Sequence, residues 1–326
     1  MLEKLGDPYT RIVGASQSSA FQTDTTGELA GALLVAGVME GSAAERAGVA
    51  VGDELLAING CEAAALPEEE AAALLQHDAE LVLLRTGVRA VLGAQHMRLA
   101  ALPVQVYPVH YATLPGDDGR MLGYISIQSF GSSTAADTRA ALAVLEARGA
   151  AGYVMDLRNN GGGLVSAGMG IAELFLPHDS VFCYVVDREA AGEAPVTLEA
   201  AHAITSAPLV ILVNGETAST SEMLTGALHA AGRAVTAGAH TFGKGRTQRV
   251  LPMRDGSTLL VSASLVTTPA HERIDKVGLE PDMACPANAG PPAAMTPAGR
   301  SERALVAGLR EDACMRVAVR ALASQA

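Results

Sequence analysis

Apolar positions fall into short runs whose spacing changes along the chain. Residues 123–130 alternate with period two, placing Ile125 and Ile127 on one side and Tyr124, Ser126 and Gln128 on the other, as a strand does. Ser133 or Thr134 opens a helical stretch that runs to about Arg148 and stops at Gly149. Residues 152–157, 181–186 and 209–213 are apolar runs of strand length. Helices are predicted over 165–176 and 219–231, the second with Met223, Ala227 and Ala231 on one face. Strands follow at 235–237 and 259–266. A Pro-, Ala- and Gly-rich linker covers 285–299, and one amphipathic helix covers 301–323. This alternation predicts a mixed α/β (α+β) chain with helices packed on a sheet.

The first third reads differently. Residues 1–24 are mixed, suited to short helical turns and a loop. Residues 25–92 read as a small separate module. In it a short helix ends at Gly48, and Val51-Gly52-Asp53 turns into a strand closed by Asn59-Gly60, a strong hairpin signal. Residues 67–76 read as a helix with an acidic start. No internal repeat is visible.

Composition narrows the classes. A chain of 326 residues suggests two domains at roughly 150 residues each. A hydrophobic fraction of 49% with 18% charged residues argues against a largely disordered chain. The net charge of −12, the 3% aromatic content and the absence of Trp argue against a nucleic-acid partner. The longest apolar run, 29–39, has 11 residues, against about 20 for a spanning helix, so no transmembrane segment is expected. Met1 to Pro8 lacks signal architecture; the protein is cytosolic, or its targeting segment is removed or lies outside this chain. Cys61, Cys183, Cys285 and Cys314 form no CxxC pair, which disfavours zinc. Buried free thiols are the default expectation, with a Cys285–Cys314 bridge as the alternative in an oxidising compartment.

Three segments could carry chemistry. Asn214-Gly215-Glu216-Thr217-Ala218-Ser219-Thr220-Ser221-Glu222 joins a buried strand to a helix and puts Ser219 where free amides and the helix dipole favour negative charge. A serine there can attack a carbonyl while nearby amides hold the oxyanion. Ser219 and Glu222 equally have the form of a capping box, and then the serine only caps. In Thr241-Phe242-Gly243-Lys244-Gly245-Arg246-Thr247-Gln248, the lysine could be a base, a phosphate ligand or a surface charge. Gly238, Gly243 and Lys244 match a P-loop, but Gly245 stands where its Ser or Thr must hold magnesium, so nucleotide binding is disfavoured. The third segment is Asn159-Asn160-Gly161-Gly162-Gly163 after a strand, either a ligand-approaching loop or a plain turn. Asp156 and Arg158 could pair structurally. The histidines show no HExxH spacing; His240 could rival Lys244 as a base but reads as a bystander.

These segments, taken in order with Asp7-Pro8-Tyr9-Thr10-Arg11, residues 41–60, Gly123-Tyr124-Ile125 and Gly278-Leu279-Glu280-Pro281-Asp282, resemble the C-terminal processing (tail-specific) serine peptidases. The resemblance implies a crotonase-like β/α peptidase core with an inserted PDZ module. It divides the chain into an N-terminal cap segment at 1–24, the PDZ-like module at 25–92, the core at 93–288, and a linker with C-terminal helix at 289–326. It further implies a Ser–Lys dyad: Ser219 as nucleophile, Lys244 as general base 25 residues later, and Gln248 orienting the amine. The backbone amides of Gly163 and Thr220 become the oxyanion hole, and no metal or cofactor is required.

The Ala-rich composition and the Asp-Pro-Tyr-Thr start look closest to plastid-type members, which mature a photosystem II reaction-centre precursor in the thylakoid lumen; the alternative compartment is the bacterial periplasm. The implied partner is a protein substrate with a C-terminal tail, reached at a membrane surface when that substrate is a membrane protein. Two departures stand out. Thr220 replaces the alanine usual in the family, and part of the PDZ module has no counterpart within 27–39, which implies an incomplete C-terminus-binding groove. The competing reading is a catalytically silent PDZ-containing scaffold.

Overall fold

The structure is a computed structural model. It describes residues 11–13, 33–35, 43–50, 53–63, 66, 74, 78–87, 90–99, 108–186, 192–199, 203–252, 258–286 and 302–324. The chain divides into two compact units, one formed by Met1–Thr25, Pro108–Pro292 and Glu302–Ala326, the other by Thr26–Tyr107 with Ala293–Ser301. The expected cap segment, the helix at 67–76 and the linker at 285–299 lie wholly or mostly outside the described residues.

β1 (Arg11–Val13) belongs to the first unit. The second unit contains β2 (Leu33–Leu34), α1 (Ala43–Arg46), β3 (Glu54–Ile58), β4 (Cys61–Glu62), β5 (Ala79–Gly87) and β6 (Ala90–Leu99). Its sheet runs β2-β3-β5-β6, with β4 folded back on β3. Asn59 (φ 50°) and Gly60 (φ 81°) make the turn between β3 and β4, two consecutive left-handed residues as a type I′ hairpin requires. Val49, Ile58, Ala79, Leu81 and Leu83 form its core. The boundary placed at 92 from sequence falls inside β6.

The first unit continues with β7 (Val109–Pro115), β8 (Met121–Ile127), α2 (Thr134–Ala147), β9 (Ala150–Asp156), α3 (Val165–Ala172), β10 (Val181–Val186), β11 (Glu193–Thr197) and β12 (Leu209–Val213). It ends with α4 (Thr220–Ala230), β13 (Val235–Gly238), β14 (Arg246–Pro252), β15 (Thr258–Thr267), β16 (Met283–Ala284), α5 (Glu302–Glu311) and α6 (Ala313–Ser324). One sheet has the order β16-β13-β12-β9-β8-β7, parallel except for β7. The other has the order β1-β15-β10-β11, with β14 also paired to β15, and its pairings are antiparallel.

β12 is apolar and buried at every position, as a central parallel strand must be. The alternation puts Ile125 and Ile127 on one side of β8 and Tyr124 and Ser126 on the other, and six consecutive residues, Leu122 to Ile127, are buried. Neighbouring strand residues point to opposite faces, so both faces of β8 are covered. α2 packs on β7, β8 and β9, while α6 packs on β9, β12 and β13.

Two expectations at the C-terminal end are corrected. The single helix over 301–323 is two helices. Asp312 separates them, its Oδ1 accepting the amides of Cys314 (2.8 Å) and Met315 (3.0 Å) as an N-cap. The thiols are not all free: Cys285 and Cys314 form a disulfide, with Cα atoms 5.3 Å apart, joining α6 to the strand end after β16. Cys61 is exposed and free, and Cys183 is free and buried, its thiol pushed up to about 11 by burial. Among the described residues no helix is long and apolar enough to cross a membrane.

Candidate active site

Ser219 stands at the turn from β12 into α4, half-buried, with φ 57° and ψ −118°. A residue with a Cβ rarely adopts this backbone, which costs about 1–3 kcal/mol and persists only where the surroundings impose it. The surroundings do so through hydrogen bonds. Thr217 Oγ1 donates to the Leu157 carbonyl (2.9 Å) and accepts the Asn214 amide (2.9 Å). The Ala218 amide donates to the Asn160 carbonyl (3.0 Å), and Ser221 Oγ donates to that same carbonyl (2.8 Å). The turn is thus fastened to the strand end and glycine loop that follow β9.

The glycine loop is held just as firmly. Asn160 is fully buried; its Nδ2 donates to the Ile127 carbonyl (2.8 Å) and its Oδ1 accepts the Gly162 amide (2.9 Å). Asn159 and Asn214 exchange hydrogen bonds across the two turns. A Cβ on Gly162 would lie 2.8 Å from Ser219 Cβ, so only glycine allows the loop this close to the serine. Among the described residues, neither the Gly163 nor the Thr220 amide donates to an acceptor. Gly163 forms a parallel bridge with Phe130, but the bonds of that bridge use Gly162 and Leu164.

The Lys244 loop reaches the same place through Glu222. Glu222 is fully buried on the first turn of α4. Its Oε1 accepts Thr241 Oγ1 (2.5 Å) and the Gly243 amide (2.7 Å). Its Oε2 accepts the amides of Ser219 and Lys244, each at 2.9 Å. Burial raises its pKa above the ordinary carboxylate value, against the opposing pull of these hydrogen bonds. The Phe242 amide also donates to the Thr217 carbonyl (3.0 Å). Lys244 is half-buried, and Gln248 lies within β14, opposite Ser262. The loop passes close to a second chain segment, since a Cβ on Gly245 would meet the Asp275 amide at 2.2 Å. Buried Asp275 takes the Arg246 guanidinium at 3.1 Å. β14 then follows Lys244, where a P-loop would require a helix.

Sequence reasoning singled out Ser219, Lys244, Gln248, Gly163 and Thr220. The fold brings the backbones of Ser219, Lys244, Gly163 and Thr220 together around the start of α4. Sequence reasoning did not find the roles of Asn160, Asn214, Thr217 and Asp275. The only signal for Glu222 was the capping box, whose second half is the Ser219 amide bond. His240 is half-exposed, its Nδ1 2.9 Å from the Thr241 carbonyl oxygen. Among the described residues no group of three or more His, Cys, Asp or Glu could hold a metal ion.

Residues 121–285 match peptidase family S41 and residues 34–86 match the PDZ domain. The carboxyl-terminal-processing peptidase 3, chloroplastic, of Arabidopsis thaliana is 36% identical over 87% of this chain, which spans 59% of that relative's length. The carboxyl-terminal-processing protease of Synechocystis sp. is 36% identical over 86% of this chain and 68% of its own length. Among solved structures, a photosystem II D1 C-terminal processing protease superposes with a TM-score of 0.60 at 30% identity, covering 90% of this chain and 81% of the other. Matched through the strands, the glycine loop and the serine-to-lysine segment, the chain belongs to peptidase family S41.

Proposed function

We propose that this chain is a serine endopeptidase that removes C-terminal extensions from protein substrates, with Ser219 as nucleophile and Lys244 as general base. The observation that carries this reading is the strained Ser219 backbone between two undonated amides, tied through one carboxylate to the Lys244 loop. A serine that merely capped a helix would have no need of a costly backbone conformation or of a glycine loop pressed against its Cβ.

The chemistry follows from those groups. The neutral Lys244 amine takes the proton from Ser219 Oγ as the oxygen attacks the scissile carbonyl. The Gly163 and Thr220 amides receive the oxyanion. The lysine ammonium then gives its proton to the departing amine, leaving an acyl-serine. Water attacks that ester, losing its proton to Lys244, and the lysine returns this proton to Ser219 Oγ as the ester bond breaks and the new carboxyl terminus leaves. Gln248 accepts a hydrogen bond from the amine without adding a negative charge that would hold it protonated.

The relative named chloroplastic and the Synechocystis relative support a plastid or bacterial compartment, and the Cys285–Cys314 disulfide suits an oxidising one. We place the protein in the thylakoid lumen and take its substrate to be a photosystem II reaction-centre precursor. Ser219→Ala and Lys244→Ala are each expected to abolish cleavage of a tailed substrate while the thermal transition is retained. Full activity in Ser219→Ala would overturn the assignment.

A further inference from the structure

We propose that Thr220 is a positioning residue whose hydroxyl holds the glycine loop so that the Gly163 amide stays turned toward the Ser219 side. The inference rests on the reading of Ser219 as nucleophile given above.

Thr220 is the first residue of α4 and is fully buried. Its Oγ1 donates to the Gly163 carbonyl at 2.9 Å. Its methyl group faces Gly168 of α3, where a Cβ would come within 2.5 Å of it. The β-branched side chain is therefore gripped on two sides and has little rotamer freedom.

Gly163 needs such a restraint. Its φ is +133°, and a glycine is free at both backbone dihedrals. Among the described residues, the peptide before it is fixed from one side only, by the Phe130 amide donating to the Gly162 carbonyl at 3.0 Å. The carbonyl and N–H of a trans peptide point in opposite directions, so this bond turns the Gly163 N–H away from Phe130. The peptide after Gly163 is fixed at both ends. Its N–H, on Leu164, donates to the Phe130 carbonyl at 2.7 Å, and its carbonyl accepts from Thr220. With Thr220 in place, rotation about the Gly163 Cα is blocked from both planes. Without the hydroxyl, the Leu164 bond is what holds the second plane among the described residues.

The test is steady-state cleavage of a tailed peptide by Thr220→Val, Thr220→Ser, Gly168→Ala and the Gly168→Ala/Thr220→Ser double variant, each checked by thermal unfolding. Removing an oxyanion donor outright costs about 10²–10³ in kcat, and loosening one should cost about tenfold. Thr220→Val is expected to lower kcat by about that factor with KM little changed, and Thr220→Ser to recover most of the loss. Gly168→Ala should push the Thr220 methyl and lower kcat. Adding Thr220→Ser removes that methyl, keeps the hydroxyl, and should restore kcat. Where Thr220→Val fails to fold, the Gly168 pair still decides the question. Unchanged kcat in Thr220→Val, or no restoration in the double variant, overturns the clamp while Ser219→Ala remains inactive. An active Ser219→Ala would instead remove the reading on which the clamp stands.

Discussion

The backbone amides of Ser219 and Lys244 donate to the same oxygen, Glu222 Oε2, each at 2.9 Å. The two nitrogens can be no further apart than twice that distance, although the residues are 25 positions apart in sequence. Glu222→Gln tests the arrangement. An ionised carboxylate accepts at both oxygens, whereas an amide presents –NH2 at one end. Each Glu222 oxygen already receives two donors, so either orientation of the amide sets donor against donor. Hydrogen bonds to charged groups contribute about 1.5–3 kcal/mol each, so the variant should lose at least about 2 kcal/mol in urea unfolding. Its kcat should fall as well, because the serine and the lysine lose their common anchor. A stability loss with unaltered kcat would reduce Glu222 to scaffold.

The raised pKa of Glu222 predicts opposite trends in activity and stability. Protonation places a hydrogen on an oxygen that faces two donors, so cleavage should decline on acidification at a higher pH than an unperturbed glutamate would give. The folded state takes up this proton more readily than the unfolded chain does. By linkage, the group's contribution to stability falls as pH rises from its unfolded pKa through its folded one. Across that window acidification should therefore cost activity without any destabilisation from this residue. Paired pH profiles of kcat and of Tm check this, and a parallel decline of both, absent in Glu222→Gln, would contradict it.

Gly162 predicts a close-range effect. Its φ is +112°, and an added Cβ would lie 2.8 Å from Ser219 Cβ and 3.0 Å from the Ala218 carbonyl oxygen. Gly162→Ala must displace either the loop or the serine. A misplacement of about 1 Å at a reacting group can cost about 10² in rate. The expected result is a loss of that order in kcat with a folded protein, read by kinetics beside circular dichroism. Wild-type turnover would show that the loop yields without disturbing the serine.

The parts legible in sequence were those set by local pattern. β12 is an uninterrupted apolar run, and α4 begins at a capping signal. Ser219 and Lys244 were singled out because their motifs are contiguous, while their roles came from the ordered set of segments that resembles the family. What escaped notice depends on distant chain. β11 is an exposed strand containing Pro195, and β14 mixes Arg, Gln and Pro; each is a strand because of a partner, β10 or β15. Glu222 read as a helix cap because the cap is local, while its bonds to Thr241, Gly243 and Lys244 exist only once the later loop has folded over α4. The break at Asp312 escaped for a similar reason, since the helical pattern runs through it and its carboxylate answers to Arg158.

Arg158 ties the glycine-loop segment to the start of α6. Its guanidinium is wholly buried, with Asp156 Oδ2 at 2.6 Å and Asp312 Oδ2 at 2.8 Å. Asp156 also accepts from Tyr124 Oη at 2.8 Å. Despite burial, the two carboxylates hold the arginine protonated. Leaving a buried charge unpaired typically costs about 3–5 kcal/mol, and because Asp156 stays beside the guanidinium, loss of Asp312 alone should cost less than that. Asp312→Asn removes the charge but keeps an oxygen for the cap on α6, so its loss reports on the pairing with Arg158 rather than on the cap. Cys314→Ser opens the disulfide to Cys285 and should cost about 2–4 kcal/mol. Both changes release the same end of α6, and coupled neighbours depart from additivity by about 0.5–3 kcal/mol. The double variant should therefore lose less than the two single losses combined, since a helix already detached at one tether gains little from the other. Urea unfolding of the four proteins, followed by circular dichroism, measures the difference. Additive losses would mean that the ion pair and the disulfide hold α6 independently.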